Sequence, residues 1–165
     1  MPINESLIGE FQQELTSTRK MLERVPCDKA DWKPHEKSMT LGHLASHVAE
    51  NPFLIIATLS ADELDFAKTP YVPFEAKNND ELLKKLDETS AQAIELLKKA
   101  SDEDLMSNWT MRQGEKIYMT MPKIASIRML GLNHWYHHRG QLGVYLRLQN
   151  VPLPSIYGPT ADEAM

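Results

Sequence analysis

At 165 residues the chain is long enough for one domain, covering 1–165, with a hydrophobic core of its own. Its hydrophobic fraction of 42% and charged fraction of 25% are those of an ordinary globular protein, and a net charge of −5 argues against a nucleic-acid surface, which is normally basic. The single cysteine, Cys27, excludes an internal disulfide framework and any cysteine-based metal motif, the start MPINESLIGE has no basic or apolar leader pattern, and the longest apolar run, 53–59, is too short to span a bilayer, so a soluble cytoplasmic protein is expected.

Residues 5–25 have helical periodicity. Leu7, Ile8, Phe11, Leu15, Leu22 and Val25 form one stripe, with Gln12, Gln13, Glu14, Arg19 and Lys20 largely off it. Asn4 is the expected N-cap, and Pro26 stops the helix. The loop 27–39, CDKADWKPHEKSM, carries Trp32, whose expected role is to cap the end of the core. A second helix starts after Ser38 or Thr40 and runs to about residue 59, with Leu41, Leu44, Ala45, Val48, Ile55 and Leu59 inward and a kink or break at Pro52.

Residues 60–78 contain Pro70 and Pro73 and read as a connection, with Tyr71 and Phe74 packing it down. Asn78 and Glu81 have capping-box spacing and open a third helix to about residue 100, striped by Leu82, Leu83, Leu86, Ala93, Ile94 and Leu97. The period then changes. NWTMRQGEKIYMTM alternates around Gln113-Gly114, which predicts a small hairpin resting on the helices. Pro122 falls near the start of a fourth helix that ends close to residue 150, and the tail VPLPSIYGPTADEAM is irregular. Four long helices make an all-α four-helix bundle the expected fold class.

The fourth helix carries the chemistry. In LGLNHWYHHRGQLGVYLR, residues 130–147, His134 and His138 fall within roughly 40° of each other on the helical wheel. Ile127, Leu130, Gly131, Leu142, Tyr145 and Leu148 point nearly the same way. Imidazoles in a core stripe need polar partners, and a divalent metal ion is one such partner. His47 lies about 60° from Leu44 and His43 about 100°, so His47 is the better third ligand. Three protein ligands leave positions open for water or substrate, as in catalytic sites. The competing reading is a structural bundle whose histidines only hydrogen-bond. His35, His43 and His137 read as surface or supporting residues. Gln141 lies on the histidine side, whereas Arg139 points about 140° from His134 and reads as structural. There is no HExxH, which disfavours a zincin-type protease. The opposite side of this helix, with Ala125, Leu132, Tyr136 and Gly143 flanked by Met129 and Gly140, reads as a homodimer contact.

Two segments carry a family resemblance. NHWYHHRGQLGVYLRLQNVPLPSIYGPTADE resembles the C-terminal signature of the DinB-like family, and DWKPHEKSMTLGHLASHVAE resembles the region of its first metal histidine. His47 matches that histidine; His134 and His138 match the pair on the last long helix. The resemblance implies an up-down-down-up bundle, a homodimer, and a divalent metal held by three histidines. It also implies kinship with thiol-dependent S-transferases and isomerases that use bacillithiol, mycothiol or glutathione. The expected function is therefore a metal-dependent enzyme with a small-molecule substrate, either a thiol S-transferase or a hydrolase. The alternative is a non-catalytic metal-binding or stress-associated protein using the same pocket. Three imidazoles and water suit zinc or nickel first, with iron or manganese also compatible. No nucleic-acid or membrane partner is expected.

Overall fold

The computed structural model describes residues 1–164; Met165, the last residue of the expected domain, lies outside them. Helix α1, Ile3–Leu22, is followed by a short 3₁₀ turn at Cys27–Lys29 and by α2, Leu41–Glu50. Then come α3, Phe53–Ser60, strand β1, Glu63–Asp65, and the long α4, Asn79–Lys99. A short α5, Asp102–Met106, leads into β2, Asn108–Gln113, and β3, Lys116–Pro122. The last helical run opens as α6, Lys123–Ser126, passes through a π-helical stretch at Ile127–Asn133, and continues as α7, His134–Leu148.

Local chemistry accounts for most of these boundaries. Thr40 Oγ1 accepts from His43 N at 3.2 Å and caps α2. Asn78 Oδ1 accepts from Glu81 N at 2.9 Å, while the Glu81 carboxylate reaches back to Lys77 N at 2.9 Å, one residue earlier than in the standard box. Asn4 is not a cap. The first helix begins at Ile3, and the Asn4 amide instead donates to Leu97 O at 3.2 Å, tying the start of α1 to the end of α4. At the far end, Asn150 takes the left-handed conformation (φ 58°) and Val151 N returns to Leu146 O at 3.0 Å, closing α7.

Pro52 breaks the second helical run, and the break is put to use. Having no N–H, Pro52 cannot bond the carbonyl four residues back, at Val48. The indole of Trp135 takes that position, with Nε1 donating to Val48 O at 2.8 Å. Trp135 is fully buried and stacks on Phe11 with ring centroids 5.3 Å apart. These two rings sit in a core built from Leu7, Leu22, Leu44, Leu86 and Leu97, onto which Trp32 and Tyr145 pack at its edge as an edge-to-face pair. Helix α1 packs on α4 and α7, α2 on the same two helices, and α3 on α4 and the π-helical stretch.

The all-α expectation needs correcting. The hairpin is present, with its turn just after Gln113 and Gly114 at φ +59°, but it belongs to a three-stranded sheet of order β1-β2-β3. Strand β1 pairs parallel to β2, Leu64 opposite Met111. Three residues are too few for a period-2 signal, so β1 left no trace in the hydrophobic pattern. Two side-chain placements also differ. Glu14 faces inward, and Leu148 is 54% exposed. Gly131 is buried where a Cβ would stand 2.5 Å from Ile55 Cγ1, so its bare backbone lets α3 approach. Among the described residues, no helix is long and apolar enough to cross a membrane.

Candidate metal centre

Helix α2 presents His47 in its last turn, and α7 begins with His134 and carries His138 one turn later. The three rings meet edge to face. Their centroids are 5.2 Å apart for His47 and His134, 4.7 Å for His47 and His138, and 4.4 Å for His134 and His138. One ring nitrogen from each lies within 4.8 Å of the other two. His138 is 9% exposed and the other two are half-buried.

Burial and the facing imidazoles disfavour protonation here. The pKa of His134 is pushed down to about 4, first by burial and then by His138 and His47. That of His138 is also lowered, chiefly by burial, with its bond to Gln141 pulling the other way and His47 and His137 adding to the depression. Both rings are therefore neutral at pH 7, the form that binds metal.

The supporting residues decide where the ring protons sit. His138 Nδ1 is 2.8 Å from Gln141 Oε1, which can only accept, so the proton of His138 lies on Nδ1 and its Nε2 carries a lone pair. That Nε2 is 2.8 Å from His134 Nε2. On the other side, Asn51 Nδ2 is 2.9 Å from His134 Nδ1, while Asn51 Oδ1, fully buried, has no partner among the described residues. With the amide this way round, the proton of His134 sits on Nε2 and bonds His138. Half a turn of the amide puts the orphaned Oδ1 against a protonated Nδ1 and leaves two lone pairs facing each other. A cation is what such a pair requires. Metal–imidazole bonds of about 2.0–2.1 Å in tetrahedral geometry set the nitrogens roughly 3.3 Å apart, a small opening of the contact seen here. The donor set fits a divalent ion.

Glu50 completes the surroundings. Its Oε1 lies 3.7 Å from His47 Nδ1, Tyr71 donates its hydroxyl to the same oxygen, and Phe74 N donates to Oε2 at 3.2 Å. Burial pushes this carboxyl up, but the hydrogen bonds from His47, Tyr71 and the Phe74 amide outweigh it and hold it below its ordinary range. Burial raises the Tyr71 hydroxyl, as does the carboxylate it donates to. A carboxylate behind a metal-facing histidine fixes the ring's orientation and raises its basicity. Tyr71 and Phe74 thus pack down the connection after β1, onto Glu50.

The structure brings His47, His134 and His138 together, with Gln141 beside them. Arg139 turns away into a buried ion pair with Glu14, 2.6 Å long, and donates to Glu14 O, Thr18 Oγ1 and Tyr157. His35 and His137 are exposed, and His43 is half-buried one turn before His47. On the opposite side of the last helical run, Leu132 is buried inside the chain and Tyr136 is half-covered, donating to Glu10 at 3.1 Å. Sequence reasoning passed over Glu50, Asn51 and Tyr71. The first two stand three and four residues after His47, the spacing that shares a helix face, and this was the available signal.

A mostly helical chain with a small sheet, carrying three convergent imidazoles where two of its helices cross, is the class of protein these features define. The model of the DinB family matches residues 1–164, and the chain belongs to that family. The uncharacterised protein YrdA of Bacillus subtilis strain 168 is 24% identical over 163 residues, covering 96% of this chain and 90% of that one. Among solved structures, a DinB-like protein from Bacillus cereus ATCC 10987 is similar at a TM-score of 0.71 and 22% identity, over 93% of this chain and 97% of the other. The mycothiol-dependent maleylpyruvate isomerase is more distant, with a TM-score of 0.54 and 15% identity, over 93% of this chain and 62% of the isomerase. These likenesses establish the fold.

Proposed function

We propose that the chain is a divalent-metal-dependent enzyme with His47, His134 and His138 as ligands, and that it uses a low-molecular-weight thiol in a transfer or isomerisation of a small molecule. The observation that carries this reading is the convergence of three imidazoles beside a cavity, with second partners already in place at Asn51, Gln141 and Glu50. The fold shared with a mycothiol-dependent isomerase supports the thiol. A divalent ion held by the three rings would favour the thiolate form of a bound thiol, the reactive nucleophile. Gln141 and Asn51 hold the ring nitrogens in register. Glu50 holds His47, and Tyr71 with Phe74 covers that carboxylate from solvent. Zinc and nickel are the ions the donor set suits best.

Two measurements test the reading. Metal content is expected near one equivalent for the wild type and below a tenth of that for His138→Ala. Turnover of an electrophile is then assayed with bacillithiol, mycothiol, glutathione and cysteine. Stimulation by one of these thiols supports the proposal. Hydrolysis of esters or amides without thiol stimulation moves the assignment to a hydrolase. Stoichiometric metal with no turnover of either kind moves it to a binding role.

The same reading takes 1–165 as one domain in the cytoplasm. It takes α1, α2 with α3, α4 and residues 123–148 as the four helices of an up-down-down-up bundle. The 18-residue connection between α3 and α4 supports the parallel middle pair, being long enough to return along the bundle. The homodimer proposal also stands, on a shifted face. Met129, Gly140, Val144 and Leu148 are exposed on one side of the last helical run, whereas Leu132 is not available. A Val144→Arg variant that keeps a dimer mass in solution rules out this face.

A further inference from the structure

A cavity of about 200 Å³ opens against His47 and His134. Its walls are Phe53, Leu54, Phe66, Met111 and Leu130, drawn from α3, the segment after β1, strand β2 and the π-helical stretch. Glu50, Asn51 and Tyr71 also border it beside the two histidines, yet the surface the cavity exposes is apolar throughout. Tyr71 stacks on Phe53 at 6.0 Å and donates to Glu50, so it stands between this cavity and a neighbouring one of about 330 Å³ that Lys85 lines.

From this division we propose that the cavity against His47 and His134 selects the substrate: it takes an uncharged, apolar body of about six carbons, joined to one donor group that reaches the imidazoles. The inference rests on the metal-site reading above. Apolar cavities of about 150 Å³ already take up benzene, which sets the size. The absence of a Lys or Arg among its wall residues sets the charge, since an ion taken from water against apolar walls without a partner is disfavoured. The Glu50 carboxylate bordering the cavity repels an anion further. The charged bodies of small thiols are excluded from this space, which leaves it to the partner that the thiol attacks. The sheet thereby acquires a purpose, since Met111 closes the floor of the cavity from β2.

Unbranched hydroxamates provide the test, because the head group binds metal and only the tail varies. Protein loaded with zinc, its occupancy measured separately, is titrated calorimetrically with acetohydroxamate, butyrohydroxamate, hexanohydroxamate and decanohydroxamate. Affinity is expected to rise roughly three- to four-fold per methylene up to the six-carbon member and to gain nothing further at ten carbons. Succinic monohydroxamate is expected to bind at least ten times more weakly than the uncharged tail of equal length. Met111→Trp should cut the ratio of hexano- to acetohydroxamate affinity at least tenfold, and Phe66→Ala should move the optimum to longer tails. Equal affinity along the series at full zinc occupancy, or equal affinity for the charged tail, overturns the cavity assignment while leaving the metal site standing. Failure to bind zinc, nickel, iron or manganese overturns the reading beneath it.

Discussion

Replacing Arg139 by methionine removes one half of a buried ion pair and leaves the other half in place. Arg139 is 4% exposed and Glu14 7%, and the guanidinium reaches Glu14 Oε2 at 2.6 Å, Glu14 O at 3.1 Å, Thr18 Oγ1 at 3.2 Å and the Tyr157 hydroxyl at 2.5 Å. Once it is gone, the Glu14 carboxylate keeps the Tyr157 hydroxyl at 2.7 Å as its remaining side-chain partner. An uncompensated buried charge of this kind destabilises by about 3–5 kcal/mol. For a chain of this size each kcal/mol moves the melting temperature by about 2–4 °C, so a fall of about 6–20 °C is expected. Removing both charges, in Glu14→Gln with Arg139→Met, should leave the protein more stable than Arg139→Met alone by at least ~1 kcal/mol, because the orphaned carboxylate is what makes the single change costly. Urea unfolding followed by far-ultraviolet circular dichroism measures wild type, Arg139→Met, Glu14→Gln and the double variant. A single variant within about 1 kcal/mol of wild type, or single effects that simply add in the double, would refute the reasoning.

Two further predictions concern the imidazoles. The folded pKa of His134, about 4, lies below its ordinary value of 6.5, so the unfolded chain takes up a proton that the folded chain refuses. Stability of the metal-free protein should be complete above about pH 6.5 and fall by roughly 3 kcal/mol as pH drops towards 4. Urea midpoints at pH 7 and pH 4.5 check this against His134→Gln, and an equal slope in that variant counts against the assignment. Removing the partners that hold the ring protons, in Gln141→Ala or Asn51→Ala, should weaken zinc binding about 10- to 100-fold. Competition with a chromophoric chelator reads it, and unchanged affinity in both variants would show that these contacts do not orient the rings.

Much of this architecture is legible in the chain. The stripes of α1, α2 and α4 identified Leu7, Phe11, Leu44, Val48, Leu86 and Leu97, which the structure buries. Thr40 and Asn78 cap as their chemistry requires, and Pro52 interrupts its helix. What was hidden depends on contacts between distant segments. Nothing local tells that Val48 O is completed by an indole 87 residues later, or that Glu14 turns inward to meet Arg139. The histidine trio was legible because each ring sits on a helix whose phase could be counted. Tyr71 was not, because it lies in a connection without periodicity.

The π-helical stretch at Ile127–Asn133 sets the timing of the last helical run. Bonds to the fifth residue fit more residues into a turn than bonds to the fourth, so the segments before and after it are not in step. The stretch works like a vernier between two rulers. Upstream, α6 is fixed by the hairpin; downstream, α7 is fixed by Trp135 in the core; the wide turn absorbs the mismatch between them. Losing one residue here would turn one segment by about 100° against the other. Either the hairpin would leave its seat, or His134 and His138 would swing out of reach of His47.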